Sequence, residues 1–218
     1  VGALLWARGP GEGLPPARVL HAEPRVEHRA QFLSVPECQQ LLSLADTTGT
    51  QWNQGALPEL AVKYFPPDAV ADSPVLRAID DRLRSWTGTE YDDLTGFQFR
   101  MQRPSPAAAF APGAESLPIS TVHVDNNMKP HRVVTVIMYI TSVPDSGHTV
   151  FPCLLEDPVA DPTLEERREL CLSASEGGTA TGHGAAAPDT HPLRRLAADI
   201  CAGRAPGLRV APAMGDAI

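Results

Sequence analysis

The chain contains no apolar run near the roughly 20 residues that cross a bilayer, so no membrane span is expected within it. It contains no basic stripe interleaved with aromatics. Arg and Lys are scattered, and 26 Asp and Glu against 18 Lys and Arg give a formal charge of -8. Nucleic acid is therefore not an expected partner, and a polyanionic substrate is disfavoured. The four cysteines, Cys38, Cys153, Cys171 and Cys201, include no C-x-x-C pair, which removes the usual signal for a thioredoxin-like motif or a zinc knuckle. Two readings of the cysteines stand side by side. Cys171 and Cys201 flank a Gly/Pro-rich stretch and suit a bridge across it in an oxidising compartment; isolated buried thiols are the alternative.

Turn formers, by contrast, are plentiful. The chain has 22 Pro and 17 Gly in 218 residues. Much of the excess lies in 9–16, 104–118 and 177–192, which read as loops or linkers. The length suits one well-filled core, or a core plus a small appendage. Val1 to Ala7 is short and apolar. It reads as the tail of a trimmed signal region or as the first strand of the fold.

Three helices are expected. Ser34 and Glu37 have the spacing of a capping box, with Pro36 in the first turn and Leu41, Leu42 and Ala45 as an apolar face. Ser73-Pro74 opens the clearest helix, in which Leu76, Ile79, Leu83 and Trp86 recur at helical spacing and Gly88 stops the run. Trp86 is expected to pack against a sheet. The third helix runs from about Pro192 to Cys201, with Leu193, Leu196, Ala197 and Ile200 on one side. A shorter helical stretch is expected from Asp161-Pro162 to about Leu172. Residues 156–203 form an insertion between strands.

The strand signals are residues 60–65, the alternation Phe97, Phe99, Met101 against Gln98, Arg100, Gln102, then 119–125, Val133 to Ile140, His148 to Phe151 and Leu208 to Ala211. The proline-rich loop 104–118 has a length typical of a lid or a substrate rim. Strands in succession joined by turns favour an antiparallel sandwich or jelly roll over alternating β-α units.

His123-Val124-Asp125 is the main chemical signal. Residues i and i+2 of a strand share a face, so one imidazole and one carboxylate can close on a single ion. That is two thirds of the 2-His-1-carboxylate set that holds non-haem Fe(II) and leaves positions open. Among the other histidines, His148 is better placed for a substrate contact than for ligation. His183 and His191 lie in or beside the insertion, His131 is expected at the surface, and His21 and His28 are read as structural or surface groups.

With those residues in view, 28–218 resembles the prolyl 4-hydroxylase branch of the Fe(II)/2-oxoglutarate-dependent dioxygenases. The matching segments occur in family order. Phe32 to Cys38 resembles the approach to the first helix, and His123-Val124-Asp125 the metal dyad. Arg132 to Ile140 is similar to R-x-x-T-x-x-x-Y-L. Ser146 to Pro152 is similar to G-G-x-T-x-F-P, with Ser146 at the first glycine. Val210 to Ala217 is similar to V-x-P-x-x-G-x-A.

The resemblance implies a mainly β fold with supporting helices, a double-stranded β-helix (jelly roll, cupin-like), preceded by an extension over 1–27. It implies that His123 and Asp125 bind Fe(II) and are the catalytic pair, with 2-oxoglutarate, O2 and ascorbate as cofactors. Thr149 matches the threonine that helps to hold the distal carboxylate of 2-oxoglutarate. Tyr139 matches the strand tyrosine, read mainly as a packing residue, and Arg132 is read as a sheet-edge salt-bridge residue. Where the family has a tyrosine ahead of H-x-D, this chain has Arg100-Met101-Gln102-Arg103-Pro104, so Gln102 or Arg103 is the expected substitute.

The implied reaction is hydroxylation of a peptidyl residue, proline first, in a proline-rich peptide or protein, with 2-oxoglutarate converted to succinate and CO2. A secretory-pathway setting is expected slightly ahead of a cytoplasmic one. The family's distal histidine and its cosubstrate-pairing lysine have no matching positions in the 218 residues. A fragment of a longer enzyme is the expectation, ahead of a shortened inactive relative. An inactive jelly-roll binding domain and a cupin-like metal protein of another kind, such as an isomerase, are the competing readings.

Overall fold

A computed structural model describes residues 14–47, 53–54, 60–65, 71–88, 99–104, 134–143, 147–154, 192–218 and positions 165, 167, 169 and 171. The chain divides into two compact units. One joins Val1–Pro15 to Gln31–Ser116, and the other joins Pro16–Ala30 to Leu117–Ile218.

In the first unit, helix α1 (Val35–Thr47) begins as its capping box predicts. The Ser34 N–H donates to Glu37 Oε2 at 2.8 Å, and the Glu37 N–H faces Ser34 Oγ at 3.4 Å. Helix α2 (Pro74–Thr87) has Ser73 as N-cap and Gly88 as its left-handed stop, with φ +64° and its N–H on the Arg84 carbonyl. Leu76, Ile79 and Leu83 are fully buried. Trp86 packs against the Phe32 ring, 5.3 Å between centroids and tilted by 43°. Strands β3 (Asn53–Gln54), β4 (Leu60–Phe65) and β5 (Phe99–Pro104) form one antiparallel sheet in that order, with six pairs between β4 and β5.

One contact in this unit links the two helices. Glu37, with a fully buried side chain, receives a two-pronged hand from Arg82 of α2: Nη2 to Oε1 at 2.5 Å and Nη1 to Oε2 at 3.2 Å. Nη1 also donates to the Phe32 carbonyl at 2.8 Å, and the guanidinium lies 5.3 Å from the Phe32 ring centre. A bidentate, charge-assisted pair of this kind fixes both position and orientation.

In the second unit, β1 (Arg18–His21) pairs antiparallel with β2 (Val26–His28). Strand β6 (Thr149–Phe151) pairs antiparallel with β7 (Leu208–Val210). Helix α3 (Pro192–Cys201) has the predicted bounds. It buries Leu193, Ala197, Ala198 and Ile200, whereas Leu196 is only half-buried. Positions 165, 167, 169 and 171 are helical, as expected for the shorter stretch.

Gly207, just ahead of β7, lies against α3. A Cβ placed there stands 2.5 Å from Ile200 Cδ1 and 2.9 Å from Cγ1. Ile200 is buried and has little room to yield. Gly207→Ala should therefore destabilise the protein by about 1–3 kcal/mol through overpacking. The urea midpoint checks this, and an unchanged midpoint would mean that Ile200 moves aside freely.

The cysteine pairing differs from the one the spacing suggested. Cys153 and Cys171 form the disulfide, while buried Cys38 and half-buried Cys201 are not disulfide-bonded. The bond closes a separation of 18 residues, worth about 3 kcal/mol if its effect is to restrict the unfolded chain.

The expected double-stranded β-helix is not the fold of the described residues. They form three separate sheets of two, three and two strands, with three helices of 13, 14 and 10 residues. Apart from β4–β5, each strand pair has a register of only two or three residues. A jelly roll needs two facing sheets with continuous pairing.

The run Val133 to Ile140 shows the physical reason. Its β-branched residues favour an extended backbone. Among the described residues 134–140, however, a single isolated bridge joins Met138 to Ala217. The backbone bonds around it go to 215–218, and that partner is interrupted by Pro212, which has no N–H, and by a turn at Met214–Gly215. Val134 and Ile137 remain exposed. No helix among the described residues is long and apolar enough to cross a membrane.

Candidate functional site

The short segment 215–218 is the spine of the site. On one side it exchanges two backbone bonds with Arg29: Arg29 N–H to the Ala217 carbonyl at 2.8 Å and Ala217 N–H to the Arg29 carbonyl at 3.0 Å. On the other side it holds 137–139. Ile137 and Ile218 exchange bonds at 2.9 and 3.0 Å, the Tyr139 N–H donates to the Asp216 carbonyl at 2.9 Å, and the Gly215 N–H donates to the Tyr139 carbonyl at 2.8 Å. The Met214 N–H also donates to Ser142 Oγ at 2.8 Å. These bonds satisfy the backbone of Tyr139 and set where its ring points.

That ring packs into a small core with Val210 and Ile218, against which Leu20 and Phe151 lie. Strand β6 brings Thr149 opposite Val210, next to the same core. The Tyr139 hydroxyl then donates to Thr149 Oγ1 at 2.7 Å. Since Thr149 accepts from Tyr139, its own hydroxyl proton is left to donate elsewhere. Burial pushes the Tyr139 hydroxyl above its ordinary pKa. The bond to Thr149 pulls it down and the Asp216 carboxylate pushes it up, with a net upward shift. Tyr139 is therefore a proton donor at neutral pH.

Asp216 is itself held. Its Oδ2 lies 2.8 Å from His28 Nε2 of β2. This pair joins residues 188 positions apart, and no local pattern signals it. His28 thus has the structural role expected of it, and His21 also does, with Nδ1 2.8 Å from the Pro24 carbonyl.

Of the six site residues expected from sequence, the structure brings Tyr139 and Thr149 together. Gln102 and Arg103 belong to the first unit, on β5, where their backbones pair with Val62 and Ala61. His123 and Asp125 lie outside the described residues, as do His131, Arg132, Ser146, His183 and His191. His148 is half-buried and directly precedes β6. Among the described residues, no group of three or more His, Cys, Asp or Glu side chains could hold a metal ion.

The donor chemistry still suits the implied groups. His123 and Asp125 supply the nitrogen and oxygen donors that non-haem iron takes. A threonine hydroxyl that accepts from Tyr139 keeps its own proton to donate, and a carboxylate only accepts. Tyr139 packs as expected, and its hydroxyl also bonds Thr149. No protein-family model, no curated protein and no solved structure matches the chain.

Proposed function

We propose that this protein serves Fe(II)- and 2-oxoglutarate-dependent hydroxylation of a peptidyl residue, with proline converted to 4-hydroxyproline and 2-oxoglutarate to succinate and CO2. The proposal rests on site chemistry and on the ordered motif segments, not on the fold. The observation that supports it is the 2.7 Å bond from Tyr139 to Thr149, which leaves the Thr149 hydroxyl proton available to an anion.

In this reading His123 and Asp125 hold the iron. Thr149 donates to the distal carboxylate of 2-oxoglutarate, and Tyr139 orients Thr149. Iron, 2-oxoglutarate and O2, with ascorbate as reductant, supply the oxidising chemistry when bound. The chain's own task is to hold these groups in place and to bind an extended, proline-rich peptide. The Cys153–Cys171 disulfide supports a secretory-pathway setting.

Thr149→Val tests the reading. It removes a hydrogen bond to a charged group, worth about 1.5–3 kcal/mol. The dissociation constant for 2-oxoglutarate, measured by calorimetry on the Fe(II)-loaded full-length protein without oxygen, should rise roughly ten- to a hundredfold. Thr149→Ser should stay near wild type. An unchanged constant in Thr149→Val would remove Thr149 from the site.

A partner-binding domain without turnover is the second reading. The exposed Val134, Ile137 and Val143, all within one ten-residue stretch, favour it.

A further inference from the structure

We propose that the Cys153–Cys171 disulfide is a redox-sensitive clasp on the β6–β7 ladder, so that Thr149 keeps its place against Tyr139 only in the oxidised chain. The ladder has only three pairs, from Thr149↔Val210 to Phe151↔Leu208, and so short a ladder is marginal without outside support.

The support converges on its far end. Cys153 lies in the turn directly after β6, where the Leu154 N–H donates to the Phe151 carbonyl and the Leu208 N–H to the Leu154 carbonyl, both at 3.0 Å. Cys171 and Arg167 stand one helical turn apart and so share a side. The buried Arg167 donates through Nη1 to the Pro206 carbonyl at 2.7 Å and reaches the Pro152 carbonyl at 3.4 Å. One helical stretch therefore fastens both strands: covalently at the exit of β6, and by a guanidinium at the approach to β7.

Reduction by a dithiol opens the clasp. A thiolate attacks one sulfur, which releases the other cysteine and forms a mixed disulfide, and the reductant's second thiol then displaces the attacked cysteine. Two electrons and two protons end on Cys153 and Cys171, and the reductant leaves as its own disulfide. The bonds of Arg167 to the Pro206 and Pro152 carbonyls remain, and the three-pair ladder opens more often. This inference rests on the ladder geometry and stands apart from the binding of 2-oxoglutarate.

The test is amide hydrogen exchange on the full-length protein, with peptide mapping under non-reducing conditions. A linked Cys153–Cys171 peptide is expected. On addition of dithiothreitol, the Leu154 and Leu208 amides should exchange at least tenfold faster, while the Ile79 and Leu83 amides of α2 stay slow. The double variant Cys153→Ala/Cys171→Ala should exchange fast without reductant and respond no further to it, and Cys201→Ala should match wild type. The proposal is overturned by absence of the linked peptide or by unchanged Leu154 and Leu208 exchange. Equal acceleration in α2 also overturns it, because the bond would then be a global staple and not a local clasp.

Discussion

Glu37→Ala should lower the stability of the protein by about 3–5 kcal/mol, the usual result of removing one partner of a buried ion pair. Three things are lost together. The Arg82 guanidinium, 12% exposed, loses both carboxylate oxygens at once. The Ser34 N–H and hydroxyl, at 2.8 and 2.9 Å from Glu37 Oε2, lose their acceptor. The start of α1 loses the reciprocal half of its capping box. Arg82 keeps only its bonds to the Phe32 and Ala78 carbonyls, which do not neutralise a charge. Against a typical total of about 5–15 kcal/mol, a loss of this size is a large fraction.

A second variant separates the pair from the site it occupies. Glu37→Met with Arg82→Met removes both charges and fills similar volume, so it should recover most of the lost stability. Urea denaturation of the single and double variants gives the coupling. A single variant within about 1 kcal/mol of wild type would mean that water reaches Arg82 as readily as Glu37 did, and the buried pair would not be what joins α1 to α2.

Glu37 also shows where a sequence stops being informative. Its spacing from Ser34 announces a helix start, because capping is a matter of three residues. Its partner Arg82 is 45 positions away, and nothing local selects one arginine among many. The same holds for α2 and α3. Ser73-Pro74, Gly88 and the apolar spacing fixed their bounds closely, since cap chemistry and helical period are local properties.

Strands depend on partners. The run from Val133 to Ile140 reads as the strongest strand in the chain, yet Tyr139 and Ile137 find their hydrogen bonds in 215–218, with no continuous ladder among the described residues. The jelly-roll expectation failed there, because an apolar run specifies extension but not what lies beside it. Cysteine pairing failed for a related reason. Four cysteines allow three pairings, and proximity to a glycine-rich stretch does not choose among them. In the site, the motif resemblance picked out Thr149 and Tyr139 individually. The bond between their hydroxyls, and the His28–Asp216 pair beside it, are tertiary facts.

Asp125→Ala should abolish turnover while leaving the melting temperature within a degree or two of wild type, about the effect of a neutral surface change. In the proposed site the carboxylate is the one anionic ligand of the dyad. Without it, a lone imidazole from His123 remains in the H-x-D pair, and a hard divalent ion loses its best oxygen donor. The Glu37–Arg82 clamp, the Tyr139–Val210–Ile218 core and the Cys153–Cys171 disulfide are formed by described residues, and their contributions to stability should persist. Asp125→Glu keeps the charge but lengthens the arm, and should retain iron with much reduced turnover. A variant that loses activity and unfolds together would instead make Asp125 a structural residue.

The most direct measurement follows 2-oxoglutarate consumption by the full-length protein given Fe(II), ascorbate, O2 and a proline-rich peptide, with succinate and 4-hydroxyproline quantified in the same reaction. Succinate and 4-hydroxyproline formed in equal amounts by wild type, and neither formed by Asp125→Ala, is the expected result. Succinate at the level of a protein-free blank in wild type, or formation unchanged in Asp125→Ala, would contradict an iron-dependent hydroxylase built on His123 and Asp125.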